Sequence, residues 1–284
     1  MERQIREERF FLQAGGHRLR ALALVPVPAP SAGTGTTPTL VFLHEALGSI
    51  RQWRDFPHRL AATTGCRTLV YDRYGAGGSD PLAEPRPLDY LGLEARDVLP
   101  EVLTACGIDR PVLVGHSDGA TIALLYAAAF PDVPVGIITE AAHVFVEEIT
   151  LAGVRTAAEN FTNTDFRDRL KRYHGHRTDS LFAAWKDTWL DPAFRDWNMQ
   201  AALANVRCPV LALQGIDDEY GTPRQLAAIA GGVAGPSRQC LIPDCRHSPH
   251  RQTPEKVLEE TTRFIASLPV RRSDVAERKE GADG

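Results

Sequence analysis

Short apolar runs bounded by turn residues recur along the chain. Thr39–His44, Thr68–Asp72 and Pro111–Gly115 come first, and Val135–Thr139, Pro209–Leu213 and Gln239–Pro243 follow. Each is apolar throughout instead of alternating, the pattern of strands buried on both faces of a parallel sheet. The stretches between them predict helices over Arg54–Thr63, Leu91–Cys106, Asp118–Phe130, Thr222–Ala230 and Pro254–Leu268. Alternating strands and helices predict an α/β fold: a doubly wound, mostly parallel sheet flanked by helices. Upstream, Arg9–Gln13 and Arg18–Val25 flank Gly15-Gly16 and predict a hairpin on the sheet edge.

The rhythm fails in three places. Pro26–Pro38 is rich in Pro, Gly, Ser and Thr and predicts a mobile surface loop. Residues 144–204 read as helical and carry Trp185, Trp189 and Trp197, three of the four tryptophans. An insertion of that size between two strands predicts a lid, with most of its aromatics filling its own core. Residues 269–284 are charged, lack apolar anchors and predict a disordered tail. The expected layout is therefore one core, 5–143 plus 205–268, interrupted by a lid at 144–204.

Composition narrows the class. The chain has 284 residues, of which 43% are hydrophobic and 24% charged. That is ordinary globular usage and excludes a disordered chain, a collagen or a coiled coil. A net charge of −4 gives no field favouring nucleic acid or an anionic membrane. No run of 18 apolar residues and no leader-like N-terminus is present, so the expectation is a soluble cytoplasmic protein. Five scattered cysteines do not read as a disulfide framework. The expected partner is a small molecule, and the expected assembly a monomer or homodimer.

The chemistry begins at Gly115-His116-Ser117-Asp118-Gly119, which follows a strand-like run and opens a helix. This is a nucleophile elbow in its strand–turn–helix setting. The sharp turn strains the serine, so the residues two before and two after it must be small. A serine hydroxyl needs a base, and the base an orienting acid, downstream in the order Ser, acid, His. Asp217, Asp218 and Glu219 follow one strand, and His247 and His250 follow the last.

On these motifs the sequence resembles the α/β-hydrolase superfamily, in its lid-bearing esterase-like branch, from about Phe11 to Leu268. The resemblance implies an eight-stranded sheet with the lid after the sixth strand. It implies Asp218 as the acid, three residues after Gly215, with Asp217 and Glu219 as competitors. It implies His247 as the base, with His250 as the alternative, which Pro249 should turn away. It implies an oxyanion hole from the N–H groups of Asp118 and Ala46.

Two residues depart from the family pattern. Glu45 stands where the family usually has Gly; it projects toward substrate, pairs with Arg73 or faces solvent. Arg246 stands where Gly normally gives the histidine loop room. His143, Trp185, Trp189 and Glu45 are candidate substrate-binding residues. Trp185 and Trp189 share a helix face, with core packing as the equal competitor. Glu140 is a candidate pocket residue or a lid-hinge hydrogen-bonder.

Two rival motifs are weak. Asp72–Ser79 imitates a phosphate loop without its spacing. Cys240, Cys245, His247 and His250 lack zinc spacing. No metal or cofactor is expected. The expected activity is hydrolysis of a small ester, thioester or lactone through an acyl-enzyme on Ser117. Carbon–carbon bond hydrolysis of a diketone, a cofactor-free oxygenase or lyase, and a ligand receptor on the same fold are the alternatives.

Overall fold

The computed structural model describes residues 3–28, 37–83 and 85–269. Among the described residues eight strands form one sheet: β1 (Gln4–Ala14), β2 (His17–Val27), β3 (Thr39–Leu43), β4 (Thr68–Tyr71), β5 (Pro111–His116), β6 (Gly136–Glu140), β7 (Val210–Gly215) and β8 (Ser237–Ile242). Their order is β1-β2-β4-β3-β5-β6-β7-β8. β1 and β2 pair antiparallel, β2 joins β4 antiparallel, and every later pairing is parallel. The opening hairpin turns on Gly15 and Gly16, with φ of 59° and 74°, a left-handed pair that suits glycine. β2 runs through Val27, so the Pro/Gly-rich segment begins later than its composition predicts. The expected mobile loop falls largely at 29–36, and the expected tail at 270–284, both outside the described residues.

The helices are α1 (Phe56–Thr64), α2 (Tyr90–Leu93), α3 (Leu99–Ala105), α4 (Asp118–Ala129), α5 (Glu148–Asn163), α6 (Phe166–His174), α7 (Thr178–Leu190), α8 (Gln200–Leu203), α9 (Pro223–Gly232), α10 (Pro249–Gln252) and α11 (Pro254–Ser267). The central strands bury both faces, and two cores result. Leu40, Phe42 and Val114 pack with Phe56 and Leu60 of α1 and Val257 and Phe264 of α11. Val41, Leu43 and Leu113 pack on the other face with Ala120, Ile122 and Leu124 of α4. At about 25 cal/mol per Å² of apolar surface, this two-sided burial is the main stabilising term.

Two elements differ from expectation. The single helix predicted over 91–106 is broken by a π-turn at Glu94–Val98. Pro100 has no N–H for the regular ladder, and the wider turn accommodates it. β8 is mostly exposed, not buried on both faces, because it is the sheet's last strand. Cys240 on β8 is half-buried and packs against the core that holds Leu40, Phe42 and Val114. Between β6 and β7 the chain leaves the sheet and forms α5 to α8. No helix among the described residues is long and apolar enough to cross a membrane.

Candidate active site

The strand ends converge on one hydrogen-bonded series. Ser117 sits between β5 and α4 with φ 52° and ψ −118°, a strained conformation for a residue with a side chain. The strain is sterically enforced. A Cβ on Gly115 would overlap the Gly119 carbonyl, and one on Gly119 the Leu43 carbonyl, so α4 starts hard against the sheet. Ser117 Oγ lies 3.0 Å from His247 Nε2, and His247 Nδ1 donates to Asp218 Oδ1 at 2.8 Å. Asp218 Oδ1 also accepts the Tyr220 N–H at 2.9 Å, and Gln214 Nε2 reaches Oδ2 at 3.4 Å. The ring tautomer follows: a carboxylate on Nδ1–H leaves the Nε2 lone pair facing the hydroxyl.

The competing residues lie elsewhere. Asp217 is exposed. Glu219 accepts the His247 backbone N–H at 3.2 Å and sits 3.4 Å from Arg246 Nε. Arg246 points outward, and the loop gains its room from Gly215, where a Cβ would overlap the Cys245 and Arg246 carbonyls. His250 is turned into the protein against Glu140. Glu140 is fully buried there, beneath the site, and does not line the pocket. Among the described residues no group of three or more His, Cys, Asp or Glu is disposed to hold a metal.

Ser117 and His247 open on a cavity of about 180 Å³. Ala46, Asp118, His143, Trp185 and Trp189 line it, as does Glu45. Of the three placements open to Glu45, its side chain takes the cavity. Arg73 instead bonds the Glu45 carbonyl, at 3.1 Å, and lies 3.6 Å from Asp118 Oδ2. Among the described residues, the N–H groups of Ala46 and Asp118 have no main-chain partner. The strand-like pattern did not single out Gln52, Thr150, Tyr220 or Arg251, which also line the cavity. They come from loops and helix faces with no motif to mark them. Beneath Asp118 a buried network closes: Trp189 Nε1 donates to Tyr90 Oη at 3.1 Å, and Tyr90 donates to Asp118 Oδ2 at 2.7 Å.

Charges tune these groups. Burial alone would lower the His247 pKa, but the charge and hydrogen bond of Asp218, with Glu45 and Glu219, outweigh it and raise it above the ordinary value. Burial would raise Asp218, yet the facing His247 and the Tyr220 N–H hold it below the usual carboxylate range. Burial, with Asp118 nearby, pushes the Glu45 carboxyl up. His143 and His116 are pushed down by burial and by neighbouring histidines, so both are neutral donors or acceptors at neutral pH. Such an arrangement can remove a hydroxyl proton and return it to a leaving group.

A model described as the alpha/beta hydrolase family matches residues 40–260. The human protein "Serine hydrolase BPHL" is 26% identical over 191 residues, which is 64% of this chain and 63% of that protein. The chain thus spans just under two thirds of that relative. The 2-succinyl-6-hydroxy-2,4-cyclohexadiene-1-carboxylate synthase of Enterobacter sp. (strain 638) is 27% identical over 248 residues, 78% of this chain and 88% of that one. The solved 2-hydroxy-6-oxo-6-phenylhexa-2,4-dienoate hydrolase of Rhodococcus sp. strain RHA1 superposes with a TM-score of 0.77 at 13% identity, covering 93% of this chain and 100% of that one. That last likeness speaks to fold alone. The family match covers most of the chain, and the eight-stranded, mostly parallel sheet agrees with it: the chain belongs to the alpha/beta hydrolase family.

Proposed function

We propose that the protein is a serine hydrolase that cleaves a small carboxylic ester, thioester or lactone through an acyl-enzyme on Ser117. The observation that carries this reading is the unbroken series Asp218–His247–Ser117, with spacings of 2.8 and 3.0 Å, opening on a cavity. His247 Nε2 takes the Ser117 proton as Oγ bonds to the carbonyl carbon. The oxyanion that forms is held by the N–H groups of Ala46 and Asp118, the first donor of which belongs to the loop after β3. His247 then gives the proton to the leaving oxygen or sulfur, and the ester bond breaks. Water repeats the sequence: His247 takes its proton, its oxygen attacks the acyl carbon, and Ser117 regains the proton as the acid leaves.

Residues 144–204 are proposed as the lid. Thr150, Val154, Phe166, Leu170, Trp185 and Trp189 all reach the cavity from that insertion, which supports the assignment. The volume of about 180 Å³ lies below the several hundred Å³ of sites for drug-sized ligands and supports a small substrate.

A carbon–carbon bond hydrolase would use the same series. The wall favours the ester reading. Two acidic residues, Glu45 and Glu219, line the cavity against one guanidinium, Arg251, while the Asp118 carboxyl is held in the buried network with Tyr90 and Arg73. An anionic substrate, of the kind the name of the Rhodococcus hydrolase specifies, meets repulsion there. Mixing enzyme with excess p-nitrophenyl acetate tests the proposal. A burst of p-nitrophenol stoichiometric with enzyme, absent in Ser117→Ala, is expected. Equal rates for wild type and Ser117→Ala would overturn it.

A further inference from the structure

Glu140 and His250 form a second histidine–carboxylate pair, which the proposed chemistry does not use. Glu140 ends β6 and its side chain is wholly buried; His250 is 5% exposed. Glu140 Oε2 accepts the His250 backbone N–H at 2.8 Å and lies 2.9 Å from its Nδ1. Glu140 Oε1 is buried without a partner. A carboxyl so deeply buried is expensive, and an apolar residue following Ile137 and Ile138 would pack there at lower cost. A buried carboxyl at this position calls for a role beyond filling space.

Its main chain supplies the second half of that role. The Glu140 carbonyl accepts the N–H of Ser117 at 2.8 Å. One residue therefore holds the serine elbow through its backbone and the histidine turn through its side chain. Both neighbours are strained: Ser117 has φ 52° and Ala141 φ 51°. Such conformations persist only where the surroundings over-determine them. His116, beside Ser117, completes the clasp by donating from Nε2 to the His247 carbonyl at 2.7 Å. Its ring packs between His247 and His250 at 5.3 and 5.1 Å, and Trp53 covers His250 at 4.5 Å.

We propose that Glu140, acting through His250, is a positioning residue that sets the approach of His247 to Ser117. The proposal rests on the reading of Ser117 as nucleophile and His247 as base. The 3.0 Å contact between them spans two loops that β-sheet hydrogen bonds do not join directly. The Glu140–His250 clasp joins them. A misplacement near 1 Å in such a contact costs about 100-fold in rate.

The test uses Glu140→Gln, Glu140→Asp, His250→Gln and the Glu140→Gln/His250→Gln double variant of the full chain. Three readouts are taken: the rate of Ser117 labelling by a fluorophosphonate, kcat and KM for p-nitrophenyl acetate, and the melting temperature. Glu140→Gln is expected to lower kcat and the labelling rate by about 10- to 100-fold, with KM within about two-fold. His250→Gln gives a similar loss, the double variant adds little to either, and Glu140→Asp recovers part of the rate. The acid limb of the pH profile stays in place, because Asp218 still holds His247. Losses that multiply in the double variant, or folded Glu140→Gln that labels at the wild-type rate, would overturn the proposal. If Glu140→Gln does not fold, a folded His250→Gln at wild-type rate overturns it equally. Wild type that fails to label would instead overturn the serine reading beneath it.

Discussion

Replacing Asp218 with Asn isolates the proposed orienting acid from the two carboxyl groups beside it. Asp218 is 5% exposed and meets His247 Nδ1 at 2.8 Å. An Asn there can turn its NH₂ toward the ring and stabilise the tautomer with Nε2 protonated, which cannot accept the Ser117 proton. The equivalent change in a trypsin-like protease costs about 10⁴ in kcat, or roughly 5.4 kcal/mol at 1.36 kcal/mol per tenfold. Asp218→Asn is therefore expected to lower kcat/KM by about 10³- to 10⁴-fold. The assay is kcat/KM for p-nitrophenyl acetate between pH 5 and 9, beside Asp217→Asn.

The pH dependence adds a second reading. Catalysis needs neutral His247, so activity falls as pH drops through a pKa lying above 6.5. Asp218 raises that pKa, so Asp218→Asn moves the limb to lower pH. Stability follows opposite signs. The raised His247 contributes stability that is full below 6.5 and lost as pH rises through its folded value. The lowered Asp218 contributes stability present above 3.8 and lost as pH falls through its folded value. An Asp218→Asn enzyme within tenfold of wild type, or an equal loss in exposed Asp217→Asn, would refute the assignment.

Two further outcomes are expected. Glu45→Gln removes a charge that raises the His247 pKa, so the acid limb shifts to lower pH and relative activity near pH 6 rises; an unmoved limb in the kcat/KM profile would count against a Glu45 that faces His247. Gly119→Ala forces a Cβ into the Leu43 carbonyl, and a backbone oxygen cannot step aside as a side chain can. It should cost about 3 kcal/mol or more and either prevent folding or lower the melting temperature clearly; a wild-type melt by circular dichroism would contradict the close seating of α4.

The central strands and the elbow are legible because they obey local rules. Val112–Val114 is apolar on both faces, and glycine at 115 and 119 is needed for close approach of backbone. The strand-then-loop order puts an acidic run, Asp217–Glu219, after β7 and two histidines, His247 and His250, after β8; the choice of Asp218 and His247 among them comes from the family resemblance. The clasp is not. Glu140 and His250 lie 110 residues apart and become partners only when β6 and the last loop meet. Tyr90 and Arg73 reach Asp118, and Trp189 reaches Tyr90, from three separate segments, and no spacing links them. Glu45 had three open placements because its direction depends on how the Arg73 guanidinium takes the carbonyl instead of the carboxylate. The Leu91–Cys106 periodicity was helical, but Pro100 decides the local ladder, and its neighbours' adjustment is a tertiary matter.

The most direct test of the account is the mass and position of a covalent adduct. Wild-type protein treated with a fluorophosphonate and digested should carry one adduct, on the peptide containing Ser117, and Ser117→Ala should carry none. An adduct on another residue, or a folded protein that remains unmodified, would contradict a nucleophilic Ser117.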